Sequence, residues 1–274
     1  MTIHQFETHR PVHLFAEIAK GSIAVAAIDT TEARVEIAGR DADQVSVLQS
    51  GDQITVVAPR HRGGFLGGES RLDVTITVPT GSDVTVKTGS ADISVTGSVN
   101  GGRLKSGSGN VELDTVTAPA TVETGSGDIK VEAAVADLRV KSGSGDVQIG
   151  RADATMAAST GSGDVKIGAA EGATVIKTGS GDVEIIRSAH DVSMTTGSGD
   201  LVVRSAQRGR LTFKGASSDV RVGVPAGTPV WTDITTVAGD VRSSLVGVGE
   251  PEPGADHVEV RARTVSGDIV LTQV

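Results

Sequence analysis

Carboxylates at a fixed interval are the first residues in this sequence that could do chemistry. Thr124-Gly125-Ser126-Gly127-Asp128 recurs as Ser142 to Asp146, Thr160 to Asp164, Thr178 to Asp182 and Thr196 to Asp200. Earlier copies run from Thr88 to Asp92, with Ala91 in place of a Gly, and from Ser106 to Asn110. An Asp or Asn thus returns every 18 residues from 92 to 200. Oxygen ligands in a column suggest calcium, with Asp128, Asp146, Asp164, Asp182 and Asp200 as the candidate ligands. The spacing favours a structural turn instead. Calcium-binding rolls place Asp two residues after a Gly on every half-coil, whereas here Gly and Asp are adjacent and occur once per 18 residues. Repulsion does not demand a cation either, since two charges about 4.8 Å apart in water cost each other about 0.9 kcal/mol.

Other reactive residue types are sparse. His4, His9 and His13 are near one another in sequence, but a metal site needs several ligands in fixed geometry and no consistent further partner stands beside them. They read as solvated histidines. A Thr column (Thr160, Thr178, Thr196) lies in turns and is interrupted by Ser106 and Ser142, which does not make the flat double rank of an ice-binding face. No nucleophile–base pair stands out. Gly-Ser-Gly-Asp is not a phosphate cradle, because no helix follows it. Polysaccharide-cleaving β-helices work in grooves built from long turns, and these turns are minimal. The chain therefore reads as a non-enzyme with no cofactor.

The elements that carry these turns follow from the apolar pattern. If the Thr or Ser is position one, position six holds Ile93, Val111, Ile129, Val147, Val165, Val183 and Leu201, and position eight holds Val95, Leu113, Val131, Ile149, Ile167, Ile185 and Val203. Alternation with a period of two is a strand signature. A second pair at positions fifteen and seventeen holds Ala120 with Val122, Leu138 with Val140, Met156 with Ala158, and Val192 with Met194. Each repeat is strand, turn, strand, turn. Three hexapeptide faces would need an apolar residue every six positions, and Glu171 and Lys177 break that pattern. The expected fold is all-β: a parallel β-solenoid with 18-residue coils, two strands per coil, a thin core, strands about 4.8 Å apart and right-handed coiling.

The turn chemistry is also readable. Gly at positions two and four is expected to supply positive φ, and Asp at position five to accept backbone N–H groups two residues on. Position seven runs Glu112, Lys130, Gln148, Lys166, Glu184, so a strand face of mixed charge is expected, without a strong single-sign field.

Both ends lose the period. A single domain over 1–274 is expected, with irregular capping coils over 1–83, regular repeats over 84–214 and irregular coils over 215–274, because terminal repeats of solenoids act as caps. Degenerate turns at Asp219, Asp240 and Asp268 are expected to follow in order, with an insertion from Ser244 to Asp256. A second insertion, Arg60-His61-Arg62-Gly63-Gly64-Phe65-Leu66-Gly67-Gly68, places Arg60, Arg62, Phe65 and Leu66 as a partner-contact candidate, against folding back over the core edge.

Composition bounds the rest. With 36 Gly, four Phe, one Trp, no Tyr and no Cys, the core must be thin and aliphatic, without disulfides or thiolate metal sites. A formal charge of -9 gives no overall driver toward nucleic acid or anionic membranes. The opening MTIHQFETHRPVHLFAEIAKG has no h-region of a signal peptide, and no apolar run reaches a membrane span. A cytoplasmic location without integral membrane contact is the corresponding expectation.

Phe6…Pro11-Val12, Gly21-Ser22-Ile23-Ala24-Val25 and the ladder of Thr-Gly-Ser-Gly-Asp turns together resemble the bacterial putative-adhesin family, a β-strand-repeat family common in actinobacteria. The resemblance covers nearly the whole chain. It implies a β-solenoid and brings no catalytic residue with it. The expected function is that of a non-catalytic structural or interaction protein, an adhesin-like scaffold whose partner is another protein or a second copy. The alternatives are a calcium- or ligand-binding solenoid at the cell envelope and a polysaccharide-active β-helix enzyme.

Overall fold

The computed structural model describes residues 1–59, 71–245 and 256–274. The described residues form strands and one short 3-10 turn, Ala42–Gln44. The chain divides into two compact units, Met1–Asp137 and Leu138–Val274. Each unit is a β-solenoid made of two facing sheets. We call the sheet whose strands follow the Gly-Asp turns the front sheet, and the sheet whose strands lead into those turns the back sheet.

In the second unit every pairing is parallel. Val165–Ala170, Val183–Ser188 and Leu201–Ala206 pair in the front sheet with Val165 opposite Val183 and Val183 opposite Leu201. Met156–Thr160, Thr174–Thr178 and Val192–Thr195 pair in the back sheet with Ala158 opposite Ile176 and Ile176 opposite Met194. Each position therefore stacks on its own equivalent one coil away, and the sequence period is the coil. Val183 and Ile185 from the front sheet, and Ile176 and Met194 from the back sheet, are buried. Alternate residues on each strand point in and pack side by side along the core. The small residue at position eleven closes the front strand inward, as at Ala134, Ala152 and Ala206.

The first unit has the same parallel core, from Gly21–Ile28 through Asp92–Val99 to Val111–Val116 and Ile129–Ala134. Its outer strands differ from a pure parallel coil. Thr2–Glu7 pairs antiparallel with Glu32–Gly39, which pairs antiparallel with Leu72–Pro79. Ser46–Ser50 folds back antiparallel on Gln53–Val57. Antiparallel strands thus occupy the outer edge of both sheets in this unit, as a hairpin only at Ser46–Val57, one way of managing an exposed strand edge.

The stacking order at the chain ends departs from sequence order, against the expectation for the last turns. His13–Ile18 lies between Gln53–Val57 and Asp83–Thr88, and Gly21–Ile28 between Leu72–Pro79 and Asp92–Val99. At the other end Val258–Ser266 lies between Gly209–Lys214 and Val230–Ala238, while Ile269–Gln273 lies between Val220–Val224 and Val241–Ser243. The order of turn carboxylates is Asp219, Asp268, Asp240, since Asp268 N–H donates to Asp219 (2.8 Å) and Asp240 N–H to Asp268 (2.9 Å). Every coil offers its neighbour the same parallel edge, so the repeat pattern alone does not fix which coil follows which.

Candidate functional site

The Gly-Asp turns serve coil-to-coil stacking, by a route that differs from the expected one. Gly179 and Gly181 do not lie in the left-handed region. A Cβ at Gly181 would instead stand 1.9 Å from the carbonyl oxygen of Gly163, and one at Gly179 would stand 2.5 Å from that of Gly161. Glycine is required because consecutive turns lie backbone on backbone. The carboxylates also look outward along the stack rather than back into their own turn. Asp182 N–H donates to Asp164 Oδ1 and Asp200 N–H to Asp182 Oδ1, both at 2.8 Å. The position-one hydroxyls turn inward. Thr178 is buried and its Oγ1 accepts the Gly181 N–H at 2.9 Å.

Asn110 performs the same task without charge: it donates to Asp92 Oδ1 at 2.8 Å and accepts from Asp128 N–H at 2.9 Å. Asp182→Asn is therefore expected to hold stability within about 0.5 kcal/mol, and Asp182→Ala to cost about 1 kcal/mol for the lost acceptor. Urea midpoints should be the same with chelator and with millimolar calcium. A calcium-dependent gain in the parent that vanishes in Asp182→Asn would make the column a metal site.

Among the described residues no three His, Asp or Glu gather into a group that could hold a metal ion. His13 Nδ1 faces Asp83 at 2.9 Å, and His9 is exposed. The contact candidates Arg60, Arg62, Phe65 and Leu66 lie outside the described residues.

The front face of the second unit carries mixed charge, as position seven indicates. Glu184 takes Arg204 at 2.5 Å and Lys166 at 3.4 Å. The hydrogen bond from Arg204 holds the Glu184 carboxyl below the usual carboxylate range, against the upward push of partial burial.

The back face of that unit is different, and position seven gives no sign of it. The strands Leu138–Ser142, Met156–Thr160, Thr174–Thr178, Val192–Thr195 and Gly209–Lys214 contain no acidic residue. One outward row crosses them as Lys141, Ser159, Lys177, Thr195 and Lys214, and continues to Arg263. All four cations are exposed. Lys177 and Lys214 enter no ion pair among the described residues. In the first unit the corresponding row reads Glu17, Lys87, Lys105, Glu123, with Lys105 3.8 Å from Glu123.

At the outer end of the cationic row a groove of about 210 Å³ is lined by Arg210, Thr212, Lys214, Asp233, Arg261 and Arg263, together with Phe213. Glu259 lies beneath, its side chain 8 % exposed, bound by Arg210 and, at 2.5 Å, by Arg261. Burial pushes the Glu259 carboxyl up, and the hydrogen bonds from the two arginines outweigh it, so the group stays below its usual range. The Arg261 guanidinium is 5.8 Å from the ring centre of Trp231, the single Trp of the chain, which is 58 % exposed. Among the described residues no helix is long and apolar enough to cross a membrane.

A family model described as Toastrack DUF4097 matches the sequence twice, over residues 16–188 and 120–272. Solved structures similar to the chain include a putative adhesin from Bacteroides fragilis (13 % identity, TM-score 0.39, 100 % of this chain and 96 % of that one). Two more come from Parabacteroides distasonis. One is a putative adhesin (14 %, 0.37, 100 % and 96 %), and the other is called a putative lipid binding protein (10 %, 0.35, 100 % and 96 %). No curated protein matches the sequence.

Proposed function

The chain belongs to the Toastrack DUF4097 family, and from that premise we propose that it is a non-catalytic structural or interaction protein that works by presenting solenoid surfaces to a protein partner, in the first instance a second copy of itself. The observation that carries this reading is the use of the polar residues of the repeat. Turn carboxylates accept backbone N–H groups of the next coil, and turn hydroxyls accept N–H groups of their own turn. The Asp, Ser and Thr residues of the repeat turns are engaged in holding coils together.

Self-association is supported by the outer edge of the second unit. Val230–Ala238 and Val241–Ser243 each have a paired neighbour on one side only among the described residues. The apolar side chains Val237 and Val241 on this edge are 79 % and 51 % exposed. A nine-residue edge strand with an open row of backbone groups is a template for another strand. Light scattering across a wide concentration range tests the reading. The mass is expected to rise with concentration, and Val237→Lys is expected to return the monomer, because an edge charge opposes strand addition. A constant monomer mass over the whole range would overturn self-association and direct the search to a different protein.

A further inference from the structure

We propose that the back face of the second unit binds an acidic polysaccharide, laid along the row Lys141, Lys177, Lys214 and Arg263 toward Trp231. The inference concerns a sheet face, so it stands whether or not the edge strands self-associate.

The first argument is charge. The chain is acidic overall, at -9, yet five adjacent back-sheet strands contain no acid, and three of them carry cations. A one-sign row on a flat sheet raises the local concentration of an anionic ligand. On other strands cations are paired: Lys166 and Arg204 share Glu184, and Arg103 grips both oxygens of Glu123. Lys177 and Lys214 have no such partner among the described residues.

The second argument is spacing. Lys141, Lys177 and Lys214 occupy alternate strands, so their backbones stand about 9.6 Å apart, twice the strand spacing. Duplex DNA offers one charge per about 1.7 Å of axis, far denser than this row can meet. A polysaccharide with one carboxylate or sulfate per disaccharide is a sparser polyanion, with hydroxyls between its charges. The row answers in kind, since Ser159 and Thr195 lie between the lysines, and a hydroxyl both donates and accepts.

The third argument lies beside the end of the row: Arg263 stands opposite Thr235, and Trp231 is four residues back along that same strand, Val230–Ala238. Trp231 offers an exposed ring on which a sugar face can lie, with Arg261 against it and the arginine-lined groove beside it. An aromatic body with a polar edge suits a ligand that is apolar on its ring faces and polar at its rim. The two acids at the groove, Glu259 and Asp233, are already occupied by Arg210 and Arg261 and by Arg263.

Titration calorimetry of the full chain in about 50 mM salt, where screening is modest, tests the proposal with hyaluronan as the probe. Dextran serves as the neutral control, with duplex DNA and phosphatidylserine vesicles as the other anionic controls. Hyaluronan is expected to bind, with an affinity that falls as salt rises, and dextran to give no heat. The double variant Lys177→Gln/Lys214→Gln alters two exposed side chains. It should keep the parent's circular dichroism and melting temperature while weakening hyaluronan binding about tenfold or more. Trp231→Ala should weaken it too, and Lys166→Gln on the front face should not. The proposal is overturned by absence of hyaluronan binding, by equal binding in the double variant, or by tighter binding of DNA or vesicles.

Discussion

Gly181→Ala should cost on the order of 4 kcal/mol, the upper range for a single substitution, and a urea titration should record it as a large drop in midpoint. The new methyl would have to occupy a point 1.9 Å from the Gly163 carbonyl oxygen and 2.6 Å from its carbon. Both are backbone atoms, so no side chain can rotate away. Relief requires the two coils to separate, and this turn stacks through Gly179 N–H to Gly161 (3.0 Å) and Asp182 N–H to Asp164 (2.8 Å). Gly51→Ala is the contrast. Gly51 has φ +59 and open space around its would-be Cβ, so only the left-handed backbone penalty of about 1–2 kcal/mol applies. If the turn glycines were needed for backbone conformation, Gly51 would be the costlier position. A Gly181→Ala cost no greater than that of Gly51→Ala would refute the stacking account.

Ile185→Ala should destabilise by about 3–4 kcal/mol, and Ile186→Ala by about 0.5 kcal/mol or less. The two residues are neighbours with identical side chains on one strand, Val183–Ser188. Ile185 is fully buried, stacked on Ile167 and Val203 in adjoining coils, whereas Ile186 is 37 % exposed. Strand alternation alone separates them. The core here is one layer of aliphatic side chains per coil, with few alternatives for refilling a gap, so truncation leaves a cavity as well as lost contact. Equal effects of the two substitutions in denaturant titrations would mean that the two faces of the strand are not distinguished as buried and exposed.

Much of this was legible because a solenoid repeats one local decision. The apolar pairs at positions six and eight, and at fifteen and seventeen, identify the strands and the inward residues, and Ile185 and Met194 are buried as that pattern demands. What the glycines and aspartates do was less legible. Their residue types fit a self-contained turn, and only the stacked backbone reveals that Gly181 answers to Gly163 and Asp182 to Asp164. The cationic row was half written in the sequence. Lys141 and Lys177 fall in one repeat column, but Lys214 and Arg263 come after the period has slipped, and pairing alone places them in line. The stacking order of the last coils had no signal at all, because Asp219, Asp240 and Asp268 present the same turn chemistry.

That order has a consequence for how the chain is made. A ribosome delivers residues 230–243 before residues 258–273, yet the earlier segment stacks on the later one. The last coil of the second unit therefore cannot be added vectorially, one turn after another. Residues 230–243 must wait, or sit briefly on Gly209–Lys214 and Val220–Val224 and then give way, until residues 258–273 arrive to fill the gap. Once filled, the arrangement works like a latch. The strand Ile269–Gln273 is held on both sides by Val220–Val224 and Val241–Ser243, so it cannot peel away until residues 241–243 have left.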